Sequence, residues 1–142
     1  MKKIKIQLVE DNLMVIQCLK SLLGKEDDFE VVACTTSLDT VLKDAYTNKP
    51  DIILMDVNMN NILSFKYVKE IQNNLKNTKV LALSGYEDNK LIKKMFEAGV
   101  EAYLSKSTTK QQLFEIIREV SDNTYKHNNN VIVGSESFRL GA

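Results

Sequence analysis

Three carboxylates, a serine and a lysine stand where apolar runs of the sequence stop. Ile52-Ile53-Leu54-Met55 ends at Asp56, and Leu8-Val9 ends at Glu10-Asp11. Val80-Leu81-Ala82-Leu83 ends at Ser84-Gly85, and Ala102-Tyr103-Leu104 ends at Ser105-Lys106. Singly, each has an ordinary explanation: Asp56 as a loop cap, Ser84 as a turn residue, Lys106 as a surface lysine. Together they are a set for phosphoryl chemistry. Each like-charged pair among Glu10, Asp11 and Asp56 at 4 Å would cost roughly 1 kcal/mol in water and about 4 at an effective dielectric near 20. Such a cluster requires a cation, and a few carboxylates suit a partly hydrated Mg²⁺. Asp11 and Asp56 would bind it directly, Glu10 through water, and the backbone carbonyl of Asn58 would add a ligand. Lys106 can pair with Asp56 at rest and with a phosphoryl oxygen afterwards. Ser84 offers a hydroxyl donor, and Asp56 can be the nucleophile that forms an acyl phosphate.

These residues are far apart in sequence, so the elements must bring them together. Ile4, Ile6, Leu8 and Val9 read as a first strand. Asn12 can cap a helix with Val15, Cys18, Leu19, Leu22 and Leu23 inward, Ile16 partly exposed and Gly24 at its end. Phe29, Val31, Val32 and Ala33 form a second strand. Ser37 can cap a second helix with Leu38, Val41, Leu42 and Ala45 inward, broken at Asn48-Lys49-Pro50. The run Ile52–Met55 suits a strand buried on both faces of a parallel sheet. A polar loop through Asn58, Asn60 and Asn61 follows, then a third helix capped by Ser64 and carrying Phe65, Val68, Ile71 and Leu75. Val80–Leu83 is the fourth strand. The fourth helix starts at Asp88 or Asn89, with Leu91, Ile92, Met95 and Phe96 opposed to Lys90, Lys93, Lys94 and Glu97, and closes at Gly99. Ala102-Tyr103-Leu104 is the fifth strand. Thr108 or Thr109 opens a last helix facing inward with Leu113, Phe114, Ile116, Ile117 and Val120.

Strands and helices in alternation specify an α/β doubly wound parallel sheet with helices on both faces. The flavodoxin-like order 2-1-3-4-5, five strands and five helices, lines one pocket with the carboxyl ends of strands 1, 3, 4 and 5. That order is what gathers Glu10, Asp11, Asp56, Ser84 and Lys106. One domain is expected over 1–125. Residues 126–142 read as a linker or C-terminal tail, with His127 solvated in the polar tract His127-Asn128-Asn129-Asn130. Val131-Ile132-Val133 and Phe138-Arg139-Leu140 are too short for a domain and either begin a linker or dock back on the core.

Composition narrows the function. The chain has 142 residues, 19 Lys plus Arg and 19 Asp plus Glu, so no global basic field attracts nucleic acid. DNA would be reached only through another domain or partner. The charged start, Met1-Lys2-Lys3, is no signal peptide, and no run reaches membrane-spanning length. A cytoplasmic place is expected. Cys18 and Cys34, without metal-ligand spacing, are expected as buried free thiols.

The segments Val9-Glu10-Asp11-Asn12, Ile53-Leu54-Met55-Asp56-Val57-Asn58-Met59, Ala82-Leu83-Ser84-Gly85 and Ala98-Gly99-Val100-Glu101-Ala102-Tyr103-Leu104-Ser105-Lys106 resemble the receiver domain of bacterial two-component response regulators from residue 4 to about 122. The resemblance implies Asp56 as phosphoacceptor from a histidine kinase or phosphotransfer protein, Glu10 and Asp11 as the acidic pair for Mg²⁺, Lys106 as the family's lysine, and Ser84 with Tyr103 as the switch pair. Phosphate would draw Ser84 inward, and Tyr103 would turn from a partly exposed to a buried rotamer. The face made by the fourth helix, fifth strand and fifth helix would then present a new surface, including to a second copy.

Two positions after Asp56 depart from the common pattern: Asn60 where many receivers have Pro, and Ser64 where many have Gly. Lys106-Ser107, where many have Lys-Pro, is similar to receivers joined to a LuxR-like helix-turn-helix output domain, which would carry any control of transcription. A flavin binder is disfavoured because Glu10-Asp11 would repel the cofactor's phosphate. A phosphohydrolase would need an Asp-x-Asp after the first strand and a cap insertion. A phosphorylation-independent binding module is the remaining alternative, and steady enzymatic turnover is not expected.

Overall fold

The computed structural model describes residues 2–59, 62–85, 89–125, 130–133 and 136–139. In chain order these form β1 (Ile4–Val9), α1 (Leu13–Gly24), β2 (Phe29–Thr35), a 3-10 turn (Leu38–Thr40) running into α2 (Val41–Asn48), β3 (Ile52–Asp56), β4 (Asn58–Met59) and β5 (Ile62–Leu63). Then come α3 (Phe65–Asn74), β6 (Lys79–Ser84), α4 (Asn89–Ala98), β7 (Ala102–Ser105), α5 (Lys110–Ser121), β8 (Asn130–Val133) and β9 (Glu136–Arg139). The five expected parallel strands lie in the expected order, β2-β1-β3-β6-β7. The sheet continues past β7 with β8 parallel to it and β9 antiparallel to β8.

Period-two alternation divides the core. Ile53 and Met55 of β3, with Val80 and Ala82 of β6, face Val41, Ala45, Val68, Ile71, Ile92 and Met95 of α2, α3 and α4. Ile52, Leu54, Leu81 and Leu83 face the other way, against Leu23 of α1 and Leu113, Phe114, Ile116, Ile117 and Val120 of α5. A strand apolar on both sides therefore ends in a carboxylate only at its last residue. Asp56 is that residue, and it too is buried.

Helix ends follow local chemistry. Asn12 Oδ1 accepts from the Met14 and Val15 amides, and Thr109 Oγ1 from the Gln112 amide. Lys49 stops α2 in the left-handed region at φ 45°. Gly99 does the same after α4 at φ 118°, where a Cβ would come within 2.8 Å of Gln72 Cγ. Ser37 caps the 3-10 turn rather than α2 itself, through the Asp39 amide.

Several expectations are corrected. Ile16 is buried at 6% exposure, while Cys18 points outward, so α1 is rotated from the expected stripe. Cys34 is also exposed, on the edge strand β2, so both cysteines are free but neither is buried. The stretch after Asp56 contains a small antiparallel ladder, Asn58 opposite Leu63 and Met59 opposite Ile62, rather than only a loop. Asn60, Asn61, Asp88 and His127 lie outside the described residues.

Gln7, polar in an apolar strand, is buried and faces α2. Its Nε2 donates to Thr35 Oγ1 at 3.0 Å and to the Val41 carbonyl at 3.3 Å, and Thr35 Oγ1 donates to Asp44 Oδ2 at 2.6 Å. On the opposite layer Arg118 of α5 makes two hydrogen bonds to Asp28 and one to Glu26, each near 2.8–2.9 Å, with its guanidinium 4.7 Å from the Phe29 ring centre. That arginine ties α5 to the turn before β2.

Candidate functional site

The carboxyl ends of β1, β3 and β7 converge on one cleft lined by Glu10, Asp11, Asn12, Asp56, Asn58, Gly85 and Lys106. One carboxylate oxygen from each of Glu10, Asp11 and Asp56 lies within 4.8 Å of the others. Glu10 and Asp56 are buried and Asp11 is nearer solvent. The pairing of β1 with β3, Val9 opposite Met55, sets Glu10-Asp11 level with Asp56.

Each carboxylate is held differently. Glu10 Oε2 accepts the Asp11 amide at 2.9 Å and the Asn12 amide at 3.3 Å, while Oε1 accepts from Lys106 Nζ at 2.9 Å. Asp56 Oδ1 accepts the Asn58 amide at 3.3 Å, and Oδ2 lies 3.4 Å from Lys106 Nζ. The lysine expected to pair with Asp56 thus makes its shorter contact with Glu10. Burial disfavours the charged ammonium, but the Glu10 hydrogen bond and the field of Asp56 and Glu10 outweigh it and raise the Lys106 pKa above 10.5.

The Lys106 backbone is set by the same strand ends. Its amide donates to the Ser84 carbonyl at 2.8 Å, and the following Ser107 amide donates to Ser105 Oγ at 3.1 Å. A proline at position 107 would lack that N–H. Ser84 sits buried at the end of β6, beside Asp56 through the pairing of Asp56 with Leu83. Tyr103 is only 1% exposed, packed with the α2–α3–α4 layer, so the structure holds an inward ring and not the partly exposed rotamer expected at rest.

Ser64 is the residue whose work the sequence concealed. It makes no side-chain cap to α3. Its hydroxyl, fully buried, donates to the carbonyls of Asp56 and Val57 at 3.0 and 3.2 Å, and its amide donates to the Val57 carbonyl. This pins the chain that leaves Asp56. A contact spanning eight residues across the short β4–β5 ladder leaves no periodic signal.

Three carboxylates facing one ammonium leave a local charge of −3 + 1 = −2, which matches a divalent cation. The all-oxygen donor set fits a hard ion. Asn58 Oδ1, buried beside this cleft, has no hydrogen-bond partner among the described residues.

The model of the response regulator receiver domain family matches residues 6–118. The chain is 31% identical over 118 residues to the response regulator protein VraR of Staphylococcus aureus (strain NCTC 8325 / PS 47), spanning 83% of this chain and 56% of that protein. VraR of Staphylococcus saprophyticus is 30% identical over 120 residues, 84% of this chain and 57% of that protein. The chain therefore spans little more than half the length of these relatives. Among solved structures, a LuxR-family two-component response regulator from Aurantimonas sp. SI85-9A1 superposes with a TM-score of 0.79 at 21% identity, covering 86% of this chain and 87% of that one. A LuxR-family DNA-binding response regulator from Staphylococcus aureus gives 0.76 at 24%, covering 82% and 98%. The chain belongs to the response regulator receiver domain family, whose function is phosphorylation-dependent switching in two-component signalling. Among the described residues no helix is long and apolar enough to cross a membrane.

Proposed function

We propose that Asp56 accepts a phosphoryl group from a histidine kinase or phosphotransfer protein, with Mg²⁺ held by Asp11, Asp56 and the Asn58 carbonyl and, through water, by Glu10. The observation that carries this reading is the buried Asp56 carboxylate at the floor of a cluster with net charge −2, flanked by Lys106. Glu10 is held by the shorter contacts, 2.9 Å to the Asp11 amide and 2.9 Å to Lys106, against 3.3 and 3.4 Å for the two contacts on Asp56, so Asp56 is the buried carboxylate more readily freed to react. An Asp56 oxygen attacks phosphorus, a P–O bond forms, the P–N bond to the donor's imidazole breaks, and the imidazole leaves with a proton. Bound Mg²⁺ would neutralise phosphoryl oxygens during this exchange. Lys106, above its usual pKa and so cationic at every physiological pH, meets a transferred phosphoryl oxygen. Ser84 donates its hydroxyl to another. We read the protein as a phosphoacceptor with no steady turnover, acting in the cytoplasm and reaching DNA only through an output domain outside these residues.

Acetyl phosphate or a phosphohistidine donor tests this. With Mg²⁺ one phosphoryl group should be added per chain and should be labile to base and hydroxylamine. With EDTA the addition should fall at least tenfold, and equal labelling in EDTA would remove the metal from the reading. The buried pose of Tyr103 favours one second reading, a receiver whose interaction surface is set without phosphate. Partner affinity equal for wild type and Asp56→Asn under phosphorylating conditions would select it.

A further inference from the structure

The outer edge of β7 is filled by the chain's own residues. β8 runs parallel along it, Tyr103 opposite Val131 and Leu104 opposite Ile132. β9 returns along β8 over four pairs, from Asn130 opposite Arg139 to Val133 opposite Glu136. An uncovered edge strand presents a row of N–H and C=O groups that templates pairing with another chain. Here β7, buried along its whole length, lies between α4 and α5 in sequence, and the hairpin lies where a second copy would add its strand.

Among the described residues the β7–β8 ladder is also the shortest in the parallel sheet. It has two register pairs, against four between β6 and β7 and five between β3 and β6. The hairpin's internal ladder is twice as long as the seam that docks it, so β8 and β9 can leave as one unit. β8 follows α5 in the chain, so the hairpin is covalently tethered beside the edge it fills. A short tether gives an effective concentration on the order of millimolar, so a free copy at micromolar concentration reaches the edge only when the seam opens. One of the two rungs is the Tyr103 backbone, so the seam fixes the strand position from which that buried ring projects.

We propose that β8, backed by β9, is a tethered occupant of the β7 edge that excludes a second copy of the chain from the α4–β7–α5 face and steadies the strand that carries the inward Tyr103. This goes beyond phosphoacceptance and is tested without any phosphoryl donor. In the full-length chain, hydrogen exchange should show residues 131–132 protected at least tenfold over free peptide; rates equal to free peptide would overturn the proposal without any variant. Val131→Pro and Ile132→Pro, made in the full chain, each block pairing at one rung. At least one should speed exchange across 102–105 tenfold or more, leave 52–56 protected, and produce a concentration-dependent dimer by sedimentation. Unchanged exchange at 102–105 in both variants, or faster exchange there with only monomer at all concentrations, would overturn it. Should both variants lose protection at 52–56, the wild-type protection of 131–132 decides.

Discussion

Glu10, Asp11 and Asp56 carry three negative charges against the single positive charge of Lys106, and that imbalance sets what each substitution should do. Mg²⁺ should raise the melting temperature of wild type, by the equivalent of about 2.7 kcal/mol at 100 times its dissociation constant. Asp11→Asn should lose most of that gain; a variant that melts with Mg²⁺ as wild type does would take Asp11 out of the metal set. Lys106→Met should behave oppositely. Without metal it should destabilise by about 1–2 kcal/mol, a figure reduced for screening because the lysine side chain is one-third exposed. With metal it should gain more from Mg²⁺ than wild type, because the net charge becomes −3. Denaturant titrations in EDTA and in Mg²⁺ separate the two effects. The raised Lys106 pKa makes its contribution complete below 10.5 and lost only as pH rises through the higher folded value, so this comparison should not change between neutral and mildly acidic pH.

At the scale of elements, the connections hold the chemistry in place. Ser64 fastens the exit from Asp56, so Ser64→Ala should destabilise by about 1–2 kcal/mol by removing the hydroxyl donor from the Asp56 carbonyl, while the backbone amide at 64 still meets the Val57 carbonyl. Ser64→Gly, the residue common at this position in the family, should cost a similar amount here; urea midpoints for both variants check it. Gly99→Ala should cost about 1–3 kcal/mol, from the positive φ and the approach to Gln72. The elements carrying Asp56, Ser84 and Lys106 were legible in the sequence because each is an apolar run with a sharp polar end. Alternation and handedness left few strand orders, and the flavodoxin-like one among them is the order observed. What was hidden lay where periodicity stops. The β4–β5 ladder is two residues a side, the Ser64 tether has no repeat, and Val131-Ile132-Val133 is too short a run for its pattern to decide between linker and docked strand. The outward turn of Cys18 was misread because Val15, Cys18, Leu19 and Leu22 fit a helical stripe as well as Ile16 and Leu23 do.

Across the whole molecule, Arg118 joins the end of α5 to the turn before β2 through Glu26 and Asp28, and pH tests that link. Hydrogen bonding from Arg118 holds the Asp28 carboxyl below its ordinary value of 3.8. A lowered folded pKa stabilises fully above the unfolded value and is lost as pH falls through the folded one. Arg118→Ala should therefore cost about 1–2 kcal/mol at neutral pH, through the paired carboxylates and the Phe29 and Phe114 rings it covers. The gap to wild type should narrow as pH falls below 3.8. Arg118→Lys should rescue little, since a lysine cannot reproduce the two-point contact with Asp28. A gap that stays constant from neutral pH to the acid limb would contradict the linkage.

The central claim is that Asp56, and no neighbouring carboxylate, carries the phosphoryl group. Intact-mass spectra of wild type, Asp56→Asn and Asp11→Asn, after treatment with acetyl phosphate and Mg²⁺, test it most directly. The account predicts one added phosphoryl group on wild type, none on Asp56→Asn, and a level reduced at least tenfold on Asp11→Asn. Equal labelling of wild type and Asp56→Asn would contradict it and place the acceptor elsewhere.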